Sequence, residues 1–255
     1  MKVIAVSNYK GGVGKTTTAV NLAYNLVTLR GKKVLLIDAD PQGNASYMVW
    51  KYSPTALTLK DIIMKDMKLK RGIRRSRFKG LDIVPATRAL EELNNAMPVE
   101  VDDIHELRNL INGLEPEEYD FVIIDCQPTM QYLTLSALTA ADMAIVPINT
   151  GDFAVNGLEI MKEFIGKIEG IRGRELPYSC LVTQFFPNKN SINKISNMLE
   201  NAQIRLFDSV IRYSTACRSS EDARKPLLMH RKKNRVTYDY IDLLNELLPK
   251  EEGIE

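Results

Sequence analysis

The run Lys10-Gly11-Gly12-Val13-Gly14-Lys15-Thr16-Thr17 constrains this chain more than any other stretch. It follows an apolar run at 3–6 and precedes a helical pattern through Leu22, Leu26 and Leu29. Strand, glycine-rich turn and helix, in that order, form the context of a phosphate-binding loop. Gly11, Gly12 and Gly14 permit a tight turn whose successive N–H groups converge on one point. The helix that follows adds its positive N-terminal end. In such a loop Lys15 sets an ammonium on the terminal phosphates of a nucleotide, and the Thr16 hydroxyl ligates Mg²⁺. The spacing departs from the usual one at Tyr9, which stands where a glycine is common, and a second lysine, Lys10, follows it. A second cation at the mouth of a phosphate site is costly unless its charge is used.

Five further apolar runs, at 34–37, 81–84, 121–124, 143–147 and 179–183, and a weaker one near 210–211, read as strands. They are rich in Val and Ile and do not alternate with polar residues, as expected of parallel strands covered on both faces. Helical patterns lie near 15–30, 87–112, 131–141, 154–169, 190–201 and 236–248. This alternation predicts a single-domain α/β P-loop NTPase, a mostly parallel twisted sheet flanked by helices on both faces. No low-complexity linker divides residues 1–255, and 47–80 reads as an irregular basic insertion, with 250–255 as a tail.

Composition excludes several classes. No run of about eighteen apolar residues offers a membrane span, and the chain enters a strand at once, leaving no room for a signal peptide. Cys126, Cys180 and Cys217 are widely separated and form no CxxC pair, against a disulfide scaffold or zinc site. The expected compartment is the reducing cytoplasm. His105 and His230 have no catalytic company, and Trp50 and the methionines read as packing residues.

Ligand sites in such sheets form where strands end. The second strand ends Ile37-Asp38-Ala39-Asp40-Pro41-Gln42-Gly43-Asn44, and the fourth ends Ile123-Ile124-Asp125-Cys126. Carboxylates beside a triphosphate repel it unless Mg²⁺ or water lies between. Four apolar residues followed by Asp125 have the Walker B shape, in which the carboxylate holds Mg²⁺ through water.

Charge is uneven. Residues 65–79 hold eight Lys or Arg against one Asp, a net +7, so the rest of the chain carries −5 of the overall +2. A second window, 224–235, includes Lys232, Lys233 and Arg235 and has no acid, whereas the segment from Asp239 onward is acidic. Basic windows without interleaved aromatics suit contact with a phosphate backbone more than base reading.

The loop at 10–17 resembles the deviant Walker A loop of the ParA/MinD ATPases. Asp38-Ala39-Asp40-Pro41-Gln42-Gly43-Asn44 resembles that family's switch segment residue for residue. The likeness runs from Lys2 to about Leu248 and is closest to the short ParA/Soj partition ATPases without an N-terminal helix-turn-helix region. It implies that Lys10 reaches across a dimer to the partner's nucleotide, that Asp40 orients the attacking water and that Asp38 supports the metal shell. Lys10, Lys15 and Asp40 are then the catalytic residues, residues 10–17 the nucleotide cradle, and Thr16, Asp38 and Asp125 the metal set. By the same resemblance Gln184 and Arg212 contact the base, and 149–152 is a second nucleotide-sensing loop. Arg218, in Arg218-Ser219-Ser220-Glu221, looks like the family's DNA-contacting segment, and Lys189 stands near a place where the family often has arginine. Cys126-Gln127-Pro128 departs from the family's usual Cys-Pro-Pro. The resemblance implies ATP and Mg²⁺ as cofactors, an ATP-bound homodimer, non-specific DNA and a ParB-type protein as partners, no membrane, and a nucleoid-associated location. A weak basal ATPase stimulated by DNA and partner follows.

Three other readings compete. A MinD-like membrane-positioning ATPase needs a basic amphipathic final helix, and here that helix is acidic on its polar face. A metallocluster or small-molecule enzyme on the same loop needs paired cysteines or a second pocket. A non-catalytic nucleotide-binding regulator sits poorly with Asp40 and both lysines present.

Overall fold

Strands that are apolar on both faces need cover on both sides, and the chain supplies it from consecutive crossover helices. A computed structural model describes residues 1–96, 103–149, 154–189 and 205–249. In chain order the first half comprises β1 (Lys2–Val6), α1 (Lys15–Arg30), β2 (Val34–Ala39), α2 (Asn44–Val49), α3 (Leu59–Met64), β3 (Arg74–Arg75), β4 (Leu81–Val84), α4 (Glu91–Ala96) and α5 (Glu106–Asn112). The second comprises β5 (Phe121–Cys126), α6 (Tyr132–Ala140), β6 (Met143–Ile148), α7 (Ala154–Arg172), β7 (Tyr178–Phe185), β8 (Leu206–Arg212), α8 (Thr215–Asp222), α9 (Leu227–His230) and α10 (Arg235–Leu247).

The strands form one sheet in the order β3-β4-β2-β5-β1-β6-β7-β8, parallel throughout except for β3. Period-two alternation splits each strand between two cores. Ile4, Val6, Leu36 and Ile123 face α1, α2, α8, α9 and α10, whereas Val3, Ala5, Leu35, Ile37 and Ile124 face α3 to α7. Each such Val, Leu or Ile side chain contributes about 1.5–3 kcal/mol by leaving water. The two-sided burial explains why the runs carry no polar alternation. β1 lies between β5 and β6 near the sheet centre, so its carboxyl end opens where the strand order reverses. Among the described residues no helix is long and apolar enough to cross a membrane.

The α/β class and the mostly parallel sheet agree with the sequence expectation, but several elements differ. The single helix expected over 87–112 is instead a short 3₁₀ turn at Arg88–Leu90, then α4, a second 3₁₀ turn at Asp103–His105, and α5. Residues 97–102, between α4 and the second turn, lie outside the described part. The stretch 47–80 is more ordered than expected, holding the end of α2, α3, a 3₁₀ turn at Leu69–Arg71, and β3. A capping box anchors α3, in which the Asp61 carboxylate accepts from the Thr58 N–H and hydroxyl. Helices α8 and α9 were not anticipated. Ser214 caps α8 by accepting from the Ala216 N–H at 3.2 Å. The helix expected at 190–201 and the tail at 250–255 lie outside the described residues.

Candidate functional site

The loop after β1 turns through Gly12 (φ 71°) and Gly14 (φ 85°), left-handed conformations that favour glycine. A Cβ at Gly11, Gly12 or Gly14 would meet nothing within 4 Å. Glycine is therefore required by backbone conformation at Gly12 and Gly14, and open space lies above the turn. Gly14 is also the N-cap of α1, with no side chain closing that end. The orphan N–H groups of the first turn stay available to an anion.

The Lys15 ammonium is buried and donates to the Lys10 carbonyl at 2.8 Å. Burial depresses its pKa, against the opposing pull of Asp125 and Asp40. The Lys10 ammonium crosses to the end of β6 and donates to Asn149 Oδ1 at 3.1 Å. Its backbone N–H donates to Asn8 Oδ1, while the Asn8 amide donates to the Pro147 carbonyl. The β1 and β6 ends thus hold the lysine within its own chain. The Thr16 side chain is half-buried, and Thr17 donates to Glu221 Oε1 on α8 at 2.7 Å.

Strand register brings the carboxylates together, since β5 lies between β1 and β2 with Asp125 level with both Val6 and Asp38. Asp38 is fully buried and well supplied with donors. One oxygen accepts from the Ser46 N–H and hydroxyl, both at 2.7 Å, and the other from the Asp40 N–H at 3.2 Å. Burial nevertheless raises its pKa to about 6, because those hydrogen bonds only partly offset the lost hydration. Asp40 accepts from the Gln42 N–H at 2.8 Å and opens the turn that Gly43 (φ 63°) completes. Beside it a Cβ at Gly43 would come within 3.0 Å of the Ala86 carbonyl oxygen.

Asp125 contrasts with both. It is 0% exposed, and neither carboxylate oxygen has a hydrogen-bond partner. Burial first, then the Asp38 charge, pushes its pKa well above the usual carboxylate range. The Thr16 hydroxyl and Lys15 favour the ionised form, Thr16 without completing a full hydrogen bond. Leaving an ionised carboxylate buried without a partner costs on the order of several kcal/mol. A cation placed between Asp125 and Thr16 removes that cost. Hard oxygen donors of this kind fit Mg²⁺, which is held by one or two carboxylates and completed by water and phosphates. Among the described residues no group of three or more His, Cys, Asp or Glu is placed to hold a metal ion.

The remaining expected residues are more scattered. Gln184, at the end of β7 with φ 51°, donates to the Gly12 carbonyl at 2.6 Å. Thr183 donates to the carbonyls of Val13 and Ile148. Arg212, at the end of β8, is engaged by the buried Asp239 of α10, its Nε 3.0 Å from Oδ1 and its backbone N–H 2.9 Å from Oδ2. Its donors are thus directed to α10 in this arrangement. Residues 150–152 lie outside the described part. Arg218 on α8, Lys232 and Lys233 after α9, Arg235 at the start of α10, and Lys189 beyond β7 are all exposed.

Sequence reading did not single out Ser46 or Tyr47, and it named Asn149 and Glu221 only within the 149–152 loop and the 218–221 segment, not as partners of Lys10 and Thr17. Ser46 stands two residues after the switch-like segment, where a hydroxyl facing Asp38 could have been sought. The others meet the site only through tertiary packing.

A family model described as an AAA domain matches residues 1–176. The chromosome partitioning protein ParA of Caulobacter vibrioides NA1000 is 30% identical over 255 residues, covering 98% of this chain and 95% of that protein. The sporulation initiation inhibitor protein Soj of Bacillus subtilis 168 is 30% identical over 249 residues, covering 96% and 98%. An ATP complex of a McdA variant from Cyanothece superposes with a TM-score of 0.86 at 23% identity, covering 100% of this chain and 99% of that one, which shows a shared fold. The phosphate loop, the three convergent carboxylates and this full-length similarity together place the chain in the ParA/Soj family of partition and positioning P-loop ATPases.

Proposed function

We propose that the chain is a Mg²⁺-dependent ATPase that forms an ATP-bound sandwich dimer and binds DNA without sequence preference. With a ParB-type partner it positions or segregates plasmid or chromosomal DNA. The observation that carries the nucleotide reading is Asp125, a fully buried carboxylate with no partner, set beside Lys15 and Thr16 at the mouth of the loop.

Residues 10–17 cradle the phosphates, the N–H groups at Gly11, Gly12 and Gly14 and the ammonium of Lys15 offsetting their charge. Thr16 and Asp125 hold Mg²⁺, and Asp38, already fixed by Ser46, keeps the metal's outer shell in place. When bound, Mg²⁺ neutralises charge on the β- and γ-phosphates. Asp40 accepts from and orients the attacking water. Lys10 leaves Asn149 and completes the site of the second protomer, which couples nucleotide state to dimerisation. Gln184 lines the base side of the loop, and Arg212 does so if it is released from Asp239. Basal turnover is weak, and DNA and partner raise it. The dimer binds DNA through Lys189, Arg218, Lys232, Lys233 and Arg235, in a nucleoid-associated location in the cytoplasm.

The membrane-positioning reading has less support. Helix α10 buries Val236, Tyr240, Leu243 and Leu244, and the Glu246 carboxylate accepts from the N–H groups of Asp208 and Ser209. Its apolar stripe is therefore already packed rather than free for lipid.

A salt titration of duplex DNA binding, with ATP and Mg²⁺ present, tests the DNA reading. With roughly 4–8 phosphates contacted, log K should fall against log salt with a slope of about −4 to −7. A flat dependence would remove DNA from the function.

A further inference from the structure

The two basic windows, well separated in sequence, meet in the fold. Arg77, just beyond β3, donates through one guanidinium nitrogen to the carbonyls of Met48 and Arg224, the latter at 3.1 Å. Its backbone N–H donates to the Val49 carbonyl at 2.9 Å. The Arg224 guanidinium sits over the Tyr47 ring, 3.5 Å from its centroid, a cation–π contact. Arg224 takes φ 52°, a left-handed conformation that a non-glycine residue keeps only where its surroundings hold it. Both arginines are exposed, and among the described residues neither forms an ion pair with a carboxylate. The Arg77 pKa is depressed by partial burial and by the Arg224 charge.

The Arg77 guanidinium is thus held by backbone carbonyls, one of them that of Arg224, and the Arg224 guanidinium by a ring. Such a pair repels itself until an anion arrives. Around it stand Arg75, Lys79 and Lys225, all exposed, whose side chains make no hydrogen bond or ion pair among the described residues. The Tyr47 ring has one face covered by Arg224, so the patch serves a charged backbone better than base stacking. It rests on α2, whose first turn holds Ser46 against Asp38.

We propose that Arg77 and Arg224 close the windows at 65–79 and 224–235 into one continuous surface for the phosphate backbone of duplex DNA, with Arg75, Lys79 and Lys225 as its free contacts. This inference rests on the DNA-binding reading above and adds to it residues other than Arg218 and Lys189. It also seats that surface on the segment leaving Asp38 and Asp40, so the carboxylate edge and the DNA contact share one helix.

The test compares the full chain, with ATP, Mg²⁺ and a short mixed-sequence duplex, against three variants across a salt series. Arg75→Ala/Lys79→Ala should bind roughly 10–100-fold more weakly near 0.1 M salt, with a slope shallower by about 1.8, two contacts being lost. Arg75→Lys/Lys79→Arg keeps both charges and should bind like the unsubstituted chain. Arg218→Ala/Lys189→Ala reports on the residues outside the two windows. If the Ala pair at 75 and 79 binds normally while the pair at 218 and 189 weakens, the seam is not a DNA contact, yet the DNA reading stands. If the charge-keeping pair also loses affinity, the effect is one of folding and the proposal is overturned. Absence of salt-sensitive binding by the unsubstituted chain overturns both.

Discussion

The carboxyl edge of β1, β2 and β5 and the seam at Arg77 and Arg224 are both clusters of like charge, but different forces hold them. Asp38 and Asp125 are fully buried, placed level by strand register, and shifted in pKa by lost hydration. Arg77 and Arg224 are exposed and held by carbonyls and a tyrosine ring, and their repulsion is screened by water and salt. Buried like charge is costly enough to create an affinity for a cation. Exposed like charge costs little and acts chiefly through counterion release when a polyanion binds. The same pattern of repulsion therefore gives a tight local site in one place and a diffuse, salt-dependent surface in the other.

Substitutions at the buried edge should produce the largest effects. Lys15→Ala removes a preorganised cation from the loop and should lower ATP turnover by roughly 10²–10³-fold. A turnover within twofold of the unsubstituted chain would show that the loop ammonium does not act on the phosphates.

The next effect is on stability against pH. The folded pKa of Asp38 is raised from 3.8 to about 6, so the protonated form is the one favoured by folding. Its contribution to stability is fully present below pH 3.8 and is lost as pH rises through about 6. Asp125 acts in the same direction. Urea unfolding without nucleotide or metal should show this loss, and Asp38→Asn should make it smaller. An unchanged profile in that variant would mean that Asp38 is not the titrating group.

Ser46→Ala sharpens the comparison from inside the edge. It removes a donor to Asp38 and leaves the Ala86 N–H, which donates to Ser46 Oγ at 2.9 Å, without its acceptor. Loss of about 1–3 kcal/mol in equilibrium unfolding is expected. Thr17→Val, which breaks the bond to Glu221 between the loop helix and α8, should cost less, about 0.5–1.5 kcal/mol. A cost there larger than that of Ser46→Ala would place the firmer anchor of the site on α8 rather than on α2.

Legibility follows the same division. Lys15, Asp38, Asp40 and Asp125 were visible because each sits at the end of a local pattern of strand and turn. Two-sided strands announce themselves by unbroken Val and Ile, and their carboxyl ends mark a site. Helices α8 and α9 left no such trace, because their position depends on distant hydrogen bonds: Thr17 to Glu221, and the Leu227 N–H to Asn21 Oδ1 at 2.8 Å. The expected 87–112 helix followed apolar periodicity alone, which does not show the 3₁₀ turns at Arg88–Leu90 and Asp103–His105. The seam was hidden for a third reason. The basic windows were visible as charge, but Tyr47 and the bridge from Arg77 to Arg224 arise only when two segments about 150 residues apart are folded together. Likewise Arg212 could be placed at the end of a strand from sequence, while Asp239, which engages it, lies 27 residues further on.

The most direct test of the central claim is the solution mass of Asp40→Ala with ATP and Mg²⁺, measured by light scattering with and without Lys10→Ala. With hydrolysis blocked, the single variant should run at twice the chain mass of 28.8 kDa. The double variant should return to a single chain. A double variant that remained dimeric would contradict the role of Lys10 in joining two nucleotide sites.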